Sequence, residues 1–117
     1  MTDSNELTTE LDSMAIILHA GNAKSCAFEA LKEVKQQNIE AFTQKITEAK
    51  DEIKLAHRAH AELLRKLSSE NRMREVDLLL VHAEGHLSST DIAVEMIREL
   101  GEIYRTLRTK NPRSLKI

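Results

Sequence analysis

Apolar residues recur along the chain at steps of three and four, the spacing of one face of an α-helix. Between about Ser4 and Lys35, Leu7, Leu11, Met14, Leu18, Gly21, Ser25 and Phe28 share such a face. Ala15, Ala20, Ala23, Ala27 and Ala30 fill neighbouring positions and would let another helix approach closely. Asp3 and Glu6 have capping-box spacing at the start of this stretch. Gly21 inside it costs about 1 kcal/mol against Ala, which asks for close packing or a local bend. Gln36-Gln37-Asn38 forms a polar joint with Asn38 as the expected N-cap. A second helix is expected over about Ile39 to Leu67. Its seam reads Phe42, Ile46, Ala49, Ile53, Ala56, His60, Leu63, Leu67 and is apolar except at His60. Ser68-Ser69-Glu70-Asn71 makes the next break. Joints this short force antiparallel neighbours, so an all-α, up-down-up antiparallel three-helix bundle is expected.

The third stretch, about Arg72 to Thr109, carries two apolar seams. One holds Val76, Leu79, Ala83, Leu87, Thr90, Val94, Ile97, Gly101 and Tyr104. The other holds His82, His86, Ser89, Ala93, Met96, Leu100, Ile103 and Leu107, roughly 100° away on the helical wheel. The remaining arc is polar: Asp77, Glu84, Ser88, Asp91, Glu95, Glu99 and Glu102. A helix in a solitary bundle needs one stripe. The second seam implies contact with another subunit, as in a closed cyclic oligomer.

Composition narrows the class. Three Gly and one Pro in 117 residues are too few for the turns of an all-β fold. The length suits a single domain over 1–117, with tails expected at about 1–5 and 109–117. The longest purely apolar run, Met14 to Leu18, is far short of a membrane span, and acidic residues crowd the N-terminus where a secretory core would lie. A single cysteine, Cys26, excludes an internal disulfide and a thiolate metal cluster and reads as a buried structural thiol. A net charge of −2 exerts no general pull on nucleic acid. A cytoplasmic protein is the expectation. After Glu102 the chain is basic (Arg105, Arg108, Lys110, Arg113, Lys116), a pattern that complements a helix C-terminus more simply than it builds an anion site.

The histidines are the candidate chemistry. His82 and His86, four apart, share a helix face, and His57 and His60 lie three apart on the preceding helix. A histidine on an apolar seam needs a hydrogen-bond partner, a metal or a chemical role. His82 and His86 with His57 or His60 could ligate zinc, but His82-Ala83-Glu84-Gly85-His86 lacks the metalloprotease placement of Glu. No G-x-S-x-G elbow and no glycine-rich phosphate loop occurs. Nucleophilic catalysis by an imidazole stays open beside a hydrogen-bonded core histidine.

Leu79-Leu80-Val81-His82-Ala83-Glu84-Gly85-His86-Leu87 resembles the L-V-H-A-Q-D-H-L signature of the lactose/cellobiose-type enzyme IIA proteins of the bacterial sugar phosphotransferase system. Ala20-Gly21-Asn22-Ala23-Lys24-Ser25 resembles that family's A-G-x-A-[RK]-S, and Glu29 to Lys32 its E-A-L-K. Ala56-His57 with Leu63-Leu64, and Leu100 to Tyr104, match further family patterns in order, so the likeness spans about residues 6 to 107. It implies a homotrimer, a nine-helix cluster with active sites at subunit boundaries. It also implies a phosphoryl relay. The carrier HPr phosphorylates the family's histidine, here His82, which passes the group to a cysteine of an enzyme IIB during uptake of a disaccharide of the lactose/cellobiose type. His86 and His60 are candidates for supporting contacts. No cofactor and no nucleic-acid partner are implied, and the membrane enters only through the transporter component.

The departures from the family are local. Gly85 stands where the family has an Asp near the trimer axis that can bind a metal, so no metal is expected there. Glu84 replaces a Gln and is expected on the solvated arc. His60-Ala61 replaces Gln-Thr, and Ser88 replaces a Met. The alternative these changes leave open is a divergent regulatory or structural paralogue that has lost the relay.

Overall fold

The computed structural model describes residues 4–110, with side chains placed from 9 to 107. Three long helices, α1 (Ser4–Lys35), α2 (Ile39–Ser69) and α3 (Leu78–Lys110), run up, down and up in an elongated bundle 62 × 22 × 19 Å. No strand occurs among the described residues. The expected three-helix architecture is observed. Of the expected tails, Ser4, Asn5, Thr109 and Lys110 are helical; the rest, with the Asp3 capping position, lie outside the described residues.

Both joints close without glycine. Gln37 and Asn71 take the left-handed conformation, with φ of 67° and 54°. In each case the next residue's N–H reaches back five residues to a helix carbonyl, Asn38 to Glu33 at 2.9 Å and Arg72 to Leu67 at 2.6 Å. This is the Schellman stop, which Gly normally supplies and Asn tolerates. Asn38 precedes α2 without capping it by side chain; its Nδ2 donates to Glu33 Oε2 at 2.8 Å instead.

The third helix starts later than the periodicity suggests. Met73–Glu75 form a single 3-10 turn, Val76 is extended, and α3 begins at Leu78. Asp77, expected on the polar arc, is the cap: its Oδ1 accepts the Leu80 N–H at 2.9 Å. The Arg72 guanidinium is buried in this joint, where it donates to Glu70 at 2.6 Å and to Glu75 at 2.8 Å and reaches Thr9 Oγ1 of α1 at 3.4 Å. The joint is thereby tied to the foot of α1.

The core-facing side of α1 reverses one expectation. Thr9, Ser13, Ile16, Ala20, Ala23, Ala27, Ala30 and Val34 are the buried positions, a face of mostly small residues that lets α2 and α3 pack close. The larger face, Leu11, Met14, Leu18 and Phe28, is exposed, from 47% to 59%. An apolar seam shows that a face is to be covered, not what covers it, and here the alanine face takes the core. Gly21 lies beside the exposed face, with nothing within 4 Å of where its Cβ would stand, so close packing within the protomer does not account for it.

Most of the first seam of the third stretch is the core: Ala83, Leu87, Thr90, Val94 and Ile97 are buried, whereas Val76, Leu79 and Tyr104 are half-buried and Leu80, expected on neither seam, is fully buried. Gly101 is there because the Phe42 ring of α2 lies against its Cα, and a Cβ would overlap the ring. Gly101→Ala gains about 1 kcal/mol of helix propensity but must displace a ring held in the core, at about 1–3 kcal/mol. The net expectation is a loss of up to about 2 kcal/mol, read as a Tm lower by up to about 10 °C; a raised Tm would contradict this packing.

Candidate functional site

The second seam of α3 is open to solvent. Met96, Leu100, Ile103 and Leu107 are 43% to 61% exposed, and Leu78, Val81 and Ile92 extend the strip beyond the residues expected. His82 stands exposed near the N-terminal end of this strip, with the apolar residues Leu78 and Val81 on the preceding turn. Gly85 is also exposed, with nothing within 4 Å of its missing Cβ.

His82 and His86 are brought together. Their ring centroids lie 5.4 Å apart, nearly edge-to-face at 83°. His82 faces solvent, whereas His86 is half-buried with Nδ1 sealed inside the protein. A half-buried ring with one nitrogen sealed in the protein, packed against an exposed one, suits a supporting rather than an attacking imidazole.

His60 belongs elsewhere. Its Nε2 pairs with Glu84 Oε2 at 2.7 Å, bridging α2 to α3. Glu84 follows His82 by two positions, about 200° around the helix, so the pair lies on the α2-facing flank of α3, away from the His82 ring. The expectation of a solvated Glu84 is thus corrected: its carboxylate fixes an imidazole. His57 Nε2 makes a similar, more exposed bridge to Asp91 Oδ2 at 3.2 Å, and His19 Nδ1 one between α1 and α2, to Glu52 Oε2 at 2.6 Å. His57 and His60 thus pair with carboxylates of α3 on its α2-facing flank, apart from the His82 ring. Among the described residues no group of three or more His, Cys, Asp or Glu side chains is placed to hold a metal.

Cys26 is half-buried between α1 and α2, its Sγ 3.8 Å from Glu48 Oε2. Burial first, and the Glu48 carboxylate next, push its thiol above the ordinary value. The thiolate is the reactive form, so alkylation by iodoacetamide at pH 8 should run several-fold slower than for free cysteine. A rate equal to that of the free amino acid would remove the electrostatic reading of this pocket.

No described helix is long and apolar enough to cross a membrane. Fold and site together define a class: an all-helical bundle that presents an exposed imidazole, paired with a second, half-buried one, on a largely apolar helix face. Residues 12–105 match the family described as PTS system, Lactose/Cellobiose specific IIA subunit. The chain is 34% identical over 100 residues to the oligo-beta-mannoside-specific EIIA component of Bacillus subtilis (strain 168), covering 86% of this chain and 90% of that one. It is 33% identical over 107 residues to the N,N'-diacetylchitobiose-specific EIIA component of Escherichia coli (strain K12), covering 92% and 90%. Its fold is similar to the crystal structure of the cellobiose-specific enzyme IIA from Bacillus anthracis, with a TM-score of 0.82 and 30% identity over 95% of this chain and 97% of that one. It is also similar to the IIA(Chitobiose) of Escherichia coli solved in complex with HPr, with a TM-score of 0.76 and 33% identity over 86% and 96%. The chain belongs to the lactose/cellobiose-specific enzyme IIA family of the sugar phosphotransferase system.

Proposed function

We propose that this enzyme IIA is a phosphohistidine carrier whose acceptor is His82. The observation that carries the reading is the placement of that ring: exposed on an apolar helix face, against His86, and with no hydrogen bond of its own among the described residues. In the proposed relay, a ring nitrogen of neutral His82 attacks the phosphorus of a phosphorylated HPr. The donor's P–N bond breaks as a new P–N bond forms, and the donor imidazole leaves. The second transfer breaks that bond and forms a P–S bond on a cysteine of an enzyme IIB. Neither step needs more than in-line approach and charge stabilisation at the phosphoryl oxygens. The apolar rim around His82 would dock the partner and exclude the water that hydrolyses phosphohistidine. The similarity to an IIA solved with HPr supports HPr as the donor. The proposed cargo is a disaccharide of the lactose/cellobiose type, handled in the cytoplasm and phosphorylated downstream of this chain.

The active assembly is a homotrimer in this reading. Two exposed apolar faces support it, one on α1 and one on α3, each with a glycine in or beside it that faces open space in the protomer. No metal is assigned at its axis, because Gly85 offers no ligand atom. Incubation with phosphoenolpyruvate, enzyme I and HPr should add one phosphoryl group to the intact mass of the protein. No mass gain from any phosphorylated HPr would overturn the relay.

A further inference from the structure

Among the described residues, three buried side-chain polar atoms have no hydrogen-bond partner: Ser13 Oγ, His86 Nδ1 and Thr90 Oγ1. Such groups are costly unless bonded to protein or to internal water. They are not scattered. Thr90 follows His86 by four residues, directly beside it on the helix surface. Both lie on the flank of α3 away from Glu84 and Asp91, which face α2. Ser13 lies on the flank of α1 away from Asp12 and His19, which also face α2. All three therefore line the seam between α1 and α3. Their height agrees as well. Asp12 shares a surface hollow with Ala59 and Leu63 of α2, and the adjacent His60 pairs with Glu84, so Ser13 stands level with the turn from His82 to His86.

Thr90 also differs from two threonines of α2. Thr43 and Thr47 each donate to the carbonyl four residues back, at 3.1 and 3.0 Å. The carbonyl equivalent for Thr90 is that of His86, and Ser89 Oγ already donates to it at 3.2 Å. The Thr90 hydroxyl is left turned toward the interior.

We propose that Ser13 and Thr90 are positioning residues of the transfer site: their hydroxyls, joined through an internal water, hold His86 Nδ1 as a hydrogen-bond acceptor. The proton of neutral His86 then resides on Nε2, the ring nitrogen that is not sealed inside the protein, on a ring whose centroid is 5.4 Å from that of His82. A donor fixed there meets phosphoryl oxygens on His82, whereas the opposite tautomer would turn a lone pair toward them. The inference rests on His82 as acceptor, but the hydrogen-bonded arrangement is a property of the resting protein.

Long-range proton–nitrogen-15 spectra of the unphosphorylated protein, at a pH where His86 is neutral, read the tautomer directly. The expected result is a single Nε2–H form in the wild type, mixed tautomers in Ser13→Ala/Thr90→Val, and a return to one form in Thr90→Ser. Phosphoryl transfer from phosphorylated HPr should slow about threefold to tenfold in the double variant, the scale of one net hydrogen bond, and recover in Thr90→Ser. A wild-type His86 protonated on Nδ1, or a double variant with an unchanged tautomer, overturns the proposal whether or not the variant retains full stability. An Nε2–H wild type that accepts no phosphoryl group sinks the relay reading and leaves the hydroxyl–water–imidazole arrangement standing.

Discussion

His82→Ala should take up no phosphoryl group from phosphorylated HPr, while His57→Ala and wild type take up one. The loss is expected to be complete, because the substitution removes the attacking nitrogen rather than weakening its support. Its interpretation is clean for two structural reasons. The ring is exposed, so its removal leaves no cavity, and Ala is the better helix former at a position past the first turn of α3. The circular dichroism and melting of the variant should therefore match wild type within about 0.5 kcal/mol. His57 is the informative control. It is also an exposed histidine at the surface of the bundle, but its Nε2 is engaged by Asp91 at 3.2 Å and it stands on a different helix. Transfer that persists in His82→Ala and vanishes in His57→Ala would move the site to the α2–α3 flank.

The bundle was legible from spacing, because a buried helix face leaves a three-four signature however it is filled; His82 was singled out by the family resemblance, since its spacing alone fits a hydrogen-bonded core histidine as well. What covers a face was not legible. Leu18 is a stronger hydrophobe than Ala23, yet Leu18 is 59% exposed and Ala23 fully buried. Three helices packed closely need small residues between them, and the larger ones stay outside for another surface. The two seams of α3 were separable because Glu84 and Asp91 border one of them and His82 lies on the other. The late start of α3 was hidden by Met73 and Val76, apolar residues that continue the helical pattern through a segment whose backbone does not. Asp77 was the available signal, a capping side chain directly ahead of the Leu78 to Val81 run.

The fine structure of the site was beyond reach for a different reason. Glu84 has the spacing of a solvated residue on its own helix, and its role appears only when α2 supplies His60 at 2.7 Å. Thr90 likewise reads as a mild interruption of an apolar seam, and Ser13 stands on none of the seams that the spacing picks out. Their buried, unpartnered hydroxyls matter because α1 and α3 bring them to the same seam as His86 Nδ1. Contacts of this kind depend on rotation and register between helices, which a periodicity in one segment does not encode.

Light scattering at micromolar concentration should give a mass near 40 kDa, three times the 13.3 kDa of one chain, and Met96→Lys/Ile103→Lys should give a single chain. Both positions are exposed in the protomer, Met96 at 61% and Ile103 at 52%, so on a solitary bundle the substitutions would be nearly neutral. In a closed trimer the same faces meet around an axis, and every substitution is repeated three times. Fully burying side chains of this size is worth about 1.5–3 kcal/mol each, and placing ammonium groups there forfeits that gain while bringing like charges together. The double variant should therefore keep its helicity and lose its assembly. Chelators separate this arrangement from one held by a cation: with Gly85 contributing no ligand atom, EDTA should leave the 40 kDa species intact. A wild-type mass of 13.3 kDa across the concentration range would leave the exposed stripes of α1 and α3 to be covered by a partner other than a second copy. It would also remove the subunit boundary at which His82 is proposed to work.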